Sequence, residues 1–130
     1  MNLESPKTSV EKSAQYLFDS LSDVKNYEKL MPESIAKFEV QGEDAFLFGL
    51  QGMPEIKLKM KDRMAPNTIV LGAASDKLPF TLTAKIDTIS DNKSEVQLFF
   101  DGEFNAMMAM MIKGPISKFI ETLSLNMNKL

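Results

Sequence analysis

The stretch from Asn105 to Leu130 constrains the fold more than any other part of the chain. Met108, Ile112, Ile116, Phe119, Leu123, Met127 and Leu130 recur at steps of three and four, which lines them on one face of a helix. Lys113, Ser117, Glu121, Ser124 and Asn128 fall on the other face. Asn105 is suited to cap this helix, because its side chain can accept a hydrogen bond from an unpaired first-turn N–H. Pro115 lacks an N–H and its ring crowds the carbonyl of Met111, so a bend is predicted there. At ~1.5 Å per residue the stretch spans about 38 Å, the width of a small domain.

The first half of this helix departs from simple two-sidedness. Met107, Met110 and Met111 lie off the apolar stripe, on the polar side of the wheel. Two explanations fit. Either the bend at Gly114-Pro115 rotates the first half so that it is buried on several sides, or the thioethers line an adaptable pocket or contact surface.

The preceding chain reads as strands. Residues 2–8 are expected to form a short first strand, with Pro6 marking an edge or a bulge. Ser9 is expected to cap a helix in which Val10, Ala14, Leu17, Phe18 and Leu21 share a face. Ser22-Asp23 breaks and recaps, and Val24, Tyr27 and Met31 form one side of a second short helix that Pro32 stops. Six strands follow. Phe38 and Val40 alternate with polar neighbours, and Gln41-Gly42-Glu43-Asp44 turns into Phe46, Phe48 and Leu50. Gly52 and Pro54 mark the next turn. Ile56, Leu58 and Met60 alternate with Lys57, Lys59, Lys61 and Arg63 in the cleanest period-two pattern of the chain. Ala65-Pro66-Asn67 leads into Thr68–Ala74, and Asp76-Lys77-Leu78-Pro79 into Phe80, Leu82, Ala84 and Ile86. After Ser90-Asp91-Asn92-Lys93, the last strand carries Val96, Leu98 and Phe100 on one face. Asp101-Gly102 then swings the chain into the long helix. An antiparallel sheet with one apolar face needs a cover, and only the helix from Asn105 is long enough to supply it.

Composition narrows the chemistry. With no His and no Cys, the 130-residue chain has no Ser-His-Asp or Cys-His triad, no thiolate nucleophile, no disulfide and no His-ligated metal. A net charge of −3 with a single arginine, Arg63, argues against binding nucleic acid. The start, Met1-Asn2-Leu3-Glu4-Ser5, has no basic segment leading into an apolar run and is not read as a secretory signal. The longest apolar run, residues 106–112, is far short of the ~20 residues needed to span a bilayer, so stable membrane insertion is not expected. The expectation is one cytoplasmic domain, residues 1–130, monomeric or weakly dimeric.

The chain resembles the START / polyketide-cyclase / birch-pollen-allergen superfamily, often called SRPBCC. The resemblance covers essentially the whole length. It is carried by Ser13-Ala14-Gln15-Tyr16-Leu17-Phe18-Asp19, by residues 21–32 ending in Leu30-Met31-Pro32, and by the closing Gly114-Pro115-Ile116-Ser117-Lys118-Phe119-Ile120. It implies an α+β helix-grip fold: a curved antiparallel sheet of about seven strands, in the order β-α-α-β6-α, around a long kinked C-terminal helix. It further implies an apolar cavity between sheet and helix, used in relatives for lipids, sterols, quinones, polyketides or plant hormones. A few relatives are enzymes and others are co-chaperone modules.

Under that resemblance the lining residues are Phe46, Phe48, Leu58, Met60, Leu71, Phe80, Leu82, Leu98 and Phe100 from the strands. Met108, Met111, Ile112, Pro115 and Phe119 line it from the helix. Ligand sites are mostly apolar with few polar groups, and this set fits. A core filled by its own side chains uses identical residue types, so the alternatives stay open here. The small run Gly72-Ala73-Ala74 favours space beneath the helix.

Asp62 keeps the parity of Ile56, Leu58 and Met60 and is expected to point inward at a cavity rim, unless the strand has reached solvent there. The row Lys57, Lys59, Lys61 and Arg63 is expected to face outward, as a solvated face or towards an anionic partner. Phe99 is expected outward as well, where with Met107 and Met110 it would form an apolar patch for dimerisation. The function these features favour is non-catalytic carriage of a small apolar ligand, with no cofactor and no metal. The alternatives are a cofactor-free cyclase or dehydratase using Asp62 or a Tyr (Tyr16 or Tyr27) as proton carrier, and a protein-interaction module using the Met-rich helix.

Overall fold

The computed structural model describes residues 1–33, 35–50, 55–65, 67–73 and 80–130. The turns expected around Gly52-Pro54 and Asp76-Pro79, with Pro66 and Ala74, lie outside the described residues. The elements are β1 (Asn2–Glu4), β2 (Thr8–Val10), α1 (Ala14–Leu21) and a 3-10 helix (Val24–Leu30). Then come β3 (Lys37–Gln41), β4 (Ala45–Gly49), β5 (Ile56–Met64), β6 (Thr68–Ala73), β7 (Phe80–Ser90) and β8 (Lys93–Gly102). The chain closes with α2 (Ala106–Asn126) and a 3-10 turn (Met127–Lys129). All strand pairings are antiparallel, in the order β1-β8-β7-β6-β5-β4-β3, with β2 also on β8. At the β3–β4 turn Gly42 adopts φ 74°, a left-handed conformation that a residue without Cβ takes up freely.

The expected first strand is two strands. β1 pairs with Phe99–Asp101, and β2 pairs with Ser94–Val96. Pro6, having no N–H to give the ladder, sits in the break. Ser5 fills it: its N–H donates to the Leu98 carbonyl, and its hydroxyl accepts from the Leu98 N–H, both at 2.9 Å. Because Thr8–Val10 pairs with β8, the first helix cannot start at Ser9. Its cap is Ser13, whose side chain accepts from the Tyr16 N–H at 3.0 Å. Asp23 caps the 3-10 helix as expected, through the Lys25 N–H.

A bulge reorganises the end of β5. Met60 pairs with Leu71 but Asp62 pairs with Val70, which leaves Lys61 as the extra residue. From this point the faces exchange. Asp62 is exposed, on the row of Val70 and Thr83, and its carboxylate accepts from the Arg63 N–H. Arg63 moves to the row of buried Ile69 and Ala84, and its guanidinium donates to the Ser22 carbonyl at 2.9 Å, tying the α1 corner to the sheet. Asp62 therefore does not point inward and Arg63 does not belong to the outer basic row. Lys57, Lys59 and Lys61 do face outward. The stem of Lys61 lies over Gly72 so closely that an added Cβ there would come within 2.5 Å of Lys61 Cε.

α2 crosses the apolar face of the sheet. Asn105 accepts from the Met108 N–H at 2.8 Å, and the helix runs from Ala106 to Asn126 through Gly114-Pro115. Ile112, Ile116, Phe119, Leu123, Met127 and Leu130 of the stripe are buried, and Met108 is half-buried. Ser124, which the wheel places with the polar residues, is fully buried. It shares a hydrogen bond with Thr8 and donates at 3.4 Å to the Pro6 carbonyl, which also accepts from the Ser5 hydroxyl at 3.0 Å. The first half of α2 is not buried on several sides: Met107, Met110 and Met111 are 74%, 83% and 66% exposed.

Candidate functional site

Antiparallel pairing brings the end of β4, the start of β5, the end of β6, the start of β7 and the end of β8 to one end of the sheet. α2 begins at that end, after a link of three residues from Gly102. α1 and the 3-10 helix Val24–Leu30 close the opposite end together with the second half of α2, where Asn126 donates to the Leu30 carbonyl at 2.9 Å. The space between sheet and helix thus has a plugged end and an end at which α2 enters.

The plugged end is filled. A run of rings crosses it from the 3-10 helix to α2. Tyr27 stacks on Phe46 at 5.0 Å, Phe46 lies 6.0 Å from Phe48, and Phe48 stacks on Phe119 at 4.8 Å. Beside them Leu21, Tyr27, Leu30, Ile69, Leu71, Leu82, Ala84, Leu98, Leu123 and Met127 enclose a cavity of about 10 Å³. That is room for about one water, and its walls are almost wholly apolar. Among the described residues this part of the interior is closely packed.

At the end where α2 enters, some of the described apolar side chains stay partly in water. Phe80 on β7, Phe104 in the β8–α2 link and Met108 on α2 are half-buried and pack on the edge of the core. Phe80 and Phe100 lie 4.9 Å apart, and Phe104 stacks on Phe100 at 6.1 Å. Gly102 makes this possible, since a Cβ there would come within 2.7 Å of the Phe104 ring and 2.8 Å of Phe80 Cβ.

The expected lining residues separate accordingly. Phe46, Phe48, Leu71, Leu82, Leu98 and Phe119 belong to the filled half, and Leu58, Met60 and Ile112 are buried in the same core cluster. Phe80, Phe100 and Met108 gather at the end where α2 enters. Met111 and Pro115 are exposed and line no interior. Ile69 was recoverable from strand parity with Leu71, whereas Phe104 follows the last strand and precedes the helix cap, where neither period applies.

Proton chemistry has no purchase in this interior among the described residues. Asp62 lies on the outer face. Tyr16 is exposed, with Lys12 over its ring at 5.2 Å. Tyr27 is buried and donates to the Leu21 carbonyl at 2.7 Å. Burial pushes its hydroxyl far above the ordinary phenol range, against a smaller opposing pull from Arg63. Among the described residues no group of three or more acidic side chains is spaced to hold a metal ion, and no helix is long and apolar enough to cross a membrane. Phe99 is half-buried on the outer face, with Lys85 over its ring at 5.3 Å. The sheet separates it from α2, so it cannot share a patch with Met107 and Met110.

No family model matches the sequence, and no curated protein matches it. Solved structures do match. A START superfamily protein from Mycobacterium smegmatis is 13% identical, with a TM-score of 0.70 over 98% of this chain and 94% of that one. Norcoclaurine synthase from Thalictrum flavum, solved with dopamine and hydroxybenzaldehyde, is 13% identical, with a TM-score of 0.70 over 95% of this chain and 84% of that one. A di-domain ARO/CYC protein of a biosynthetic pathway is 13% identical, with a TM-score of 0.65 over 95% of this chain and 45% of that one. At such identities the likeness is one of fold, and the chain has the α+β helix-grip fold of the START-like superfamily.

Proposed function

We propose that this protein binds a small apolar molecule without transforming it, and that the molecule lodges where α2 enters the grip, not in the deep interior. The observation that carries this is the contrast between the two ends. Among the described residues, the cavity beside Tyr27 holds about 10 Å³, whereas Phe80, Phe104 and Met108 are half-buried at the edge of the core. Half-buried aromatic and thioether side chains beside a packed core gain from an apolar occupant, at about 25 cal/mol per Å² of apolar surface removed from water. Absence of catalysis is supported by the side chains themselves: Asp62 faces solvent and the Tyr27 proton is held by a backbone carbonyl.

The test is a titration with N-phenyl-1-naphthylamine, a neutral apolar dye that brightens out of water, paired with native mass spectrometry of protein purified from its host. Met108→Asp places a charge at the proposed seat and is expected to weaken dye binding by at least about tenfold, a loss of ~1.4 kcal/mol. Thermal stability should hold, because Met108 is only half-buried. Dye affinity unchanged by Met108→Asp would remove the assignment.

A further inference from the structure

The outward face of the first half of α2 takes no part in that seat. Met107, Met110 and Met111 are 74%, 83% and 66% exposed. They stand at i, i+3 and i+4 of one continuous helix, Ala106–Asn126. At about 100° per residue they share an arc of about 100° within little more than one turn, with neighbouring Cβ atoms about 5–6 Å apart. Gly114 falls on the same arc, one turn further on, and has nothing within 4 Å of where its Cβ would be. Leucine would serve helix and solvent equally well at these positions. A thioether adds one property, a soft and neutral lone-pair donor on a flexible stem. The chain has no Cys and no His, so its methionines are its only soft donors apart from the backbone and hard oxygens.

We infer that Met107, Met110 and Met111 form a three-thioether site for a soft monovalent cation of the Cu(I) or Ag(I) type. Three flexible thioethers drawn from little more than one helical turn can be gathered by a closed-shell monovalent ion into a trigonal set, whereas divalent hard ions gain nothing from thioethers. The ion keeps its full charge, because all three donors are neutral. Thioethers carry no proton at any ordinary pH, so uptake releases none. Its pH profile is therefore flat across the range in which carboxylates titrate. The site is distinct from the apolar seat, whose residue on α2, Met108, is half-buried while the three thioethers are exposed.

The experiment uses Ag(I) as nitrate in chloride-free buffer, a redox-stable probe, read by native mass spectrometry and by methyl NMR of ¹³C-labelled methionine. One Ag(I) per chain is expected, with shifts at Met107, Met110 and Met111 but not at buried Met60 or Met127, and the same affinity at pH 5 and pH 7. Replacing all three with leucine keeps the helix and its apolar volume and should abolish uptake with the melting temperature unchanged. Met108→Leu should keep uptake. No Ag(I) bound at micromolar concentration, uptake retained in the triple leucine variant, or affinity that rises with pH between 5 and 7 would each overturn the site. Loss of Ag(I) uptake leaves dye binding untouched, so the two proposals fail separately.

Discussion

Phe48 of β4 and Phe119 of α2 stack with their planes 8° from parallel and their centres 4.8 Å apart. This pair joins sheet to helix within the core, and both rings are buried. Phe119→Ala removes the helix's share of it and is expected to destabilise the fold by about 3–5 kcal/mol, measured by urea denaturation. A double-mutant cycle with Phe48→Ala should return a coupling of about 0.5–1.5 kcal/mol beyond area burial. Zero coupling would mean that the two rings merely share a space.

Tyr27 makes stability fall at high pH. Its pKa is raised in the folded chain by burial, so the unfolded chain ionises first, from about pH 10 upward, while the folded chain keeps the proton. The unfolded state then binds fewer protons, and stability falls by up to about 1.4 kcal/mol per pH unit. Below pH 10 the phenol stabilises through its bond to Leu21. Tyr27→Phe should therefore cost about 1 kcal/mol at pH 7 and become the more stable variant by about pH 11. A difference between the two proteins that stays constant from pH 7 to 11 would contradict a buried, neutral phenol.

Gly102→Ala drives a Cβ into Phe104 and Phe80 and is expected to cost about 1–3 kcal/mol in urea denaturation. In a Phe104→Ala background that cost should fall by roughly half, because the ring at 2.7 Å is gone and Phe80 Cβ at 2.8 Å remains. An equal cost in both backgrounds would show that the backbone, and not the aromatic cluster, demands glycine.

Pro115 is exposed inside α2 and denies the Met111 carbonyl its helical partner. Pro115→Ala should raise stability by about 2 kcal/mol, with part of the gain offset by a more flexible unfolded chain. Unchanged stability would mean that the helix accommodates the ring without strain.

The long helix, its cap at Asn105 and its buried stripe were legible because a 3.6-residue period and a short polar cap are local properties. So were the six central strands and the inner placement of Phe46, Phe48, Leu58, Leu82 and Leu98, which follow from alternation. The inward position of Asp62 followed from the same alternation and failed, because one extra residue opposite β6 reverses every later side chain. No local preference marks Lys61 as that residue. Likewise Ser9 can cap a helix and Ser124 can face solvent. Pairing of β2 with β8 removes the first option, and burial of Ser124 against Thr8 and Pro6 removes the second.

On its own, the sequence determined a helix-grip arrangement with one apolar face on the sheet and one on the helix, since period and parity already encode which side chains must leave water. Only the tertiary structure decided how much space remains between those faces. Void volume depends on how Tyr27, Phe46, Phe48 and Phe119 from three separate elements interlock, and a filled core and a lined cavity are written with the same residues. The same holds for Met107, Met110 and Met111, which the helical period places off the stripe and only the folded structure shows to be exposed.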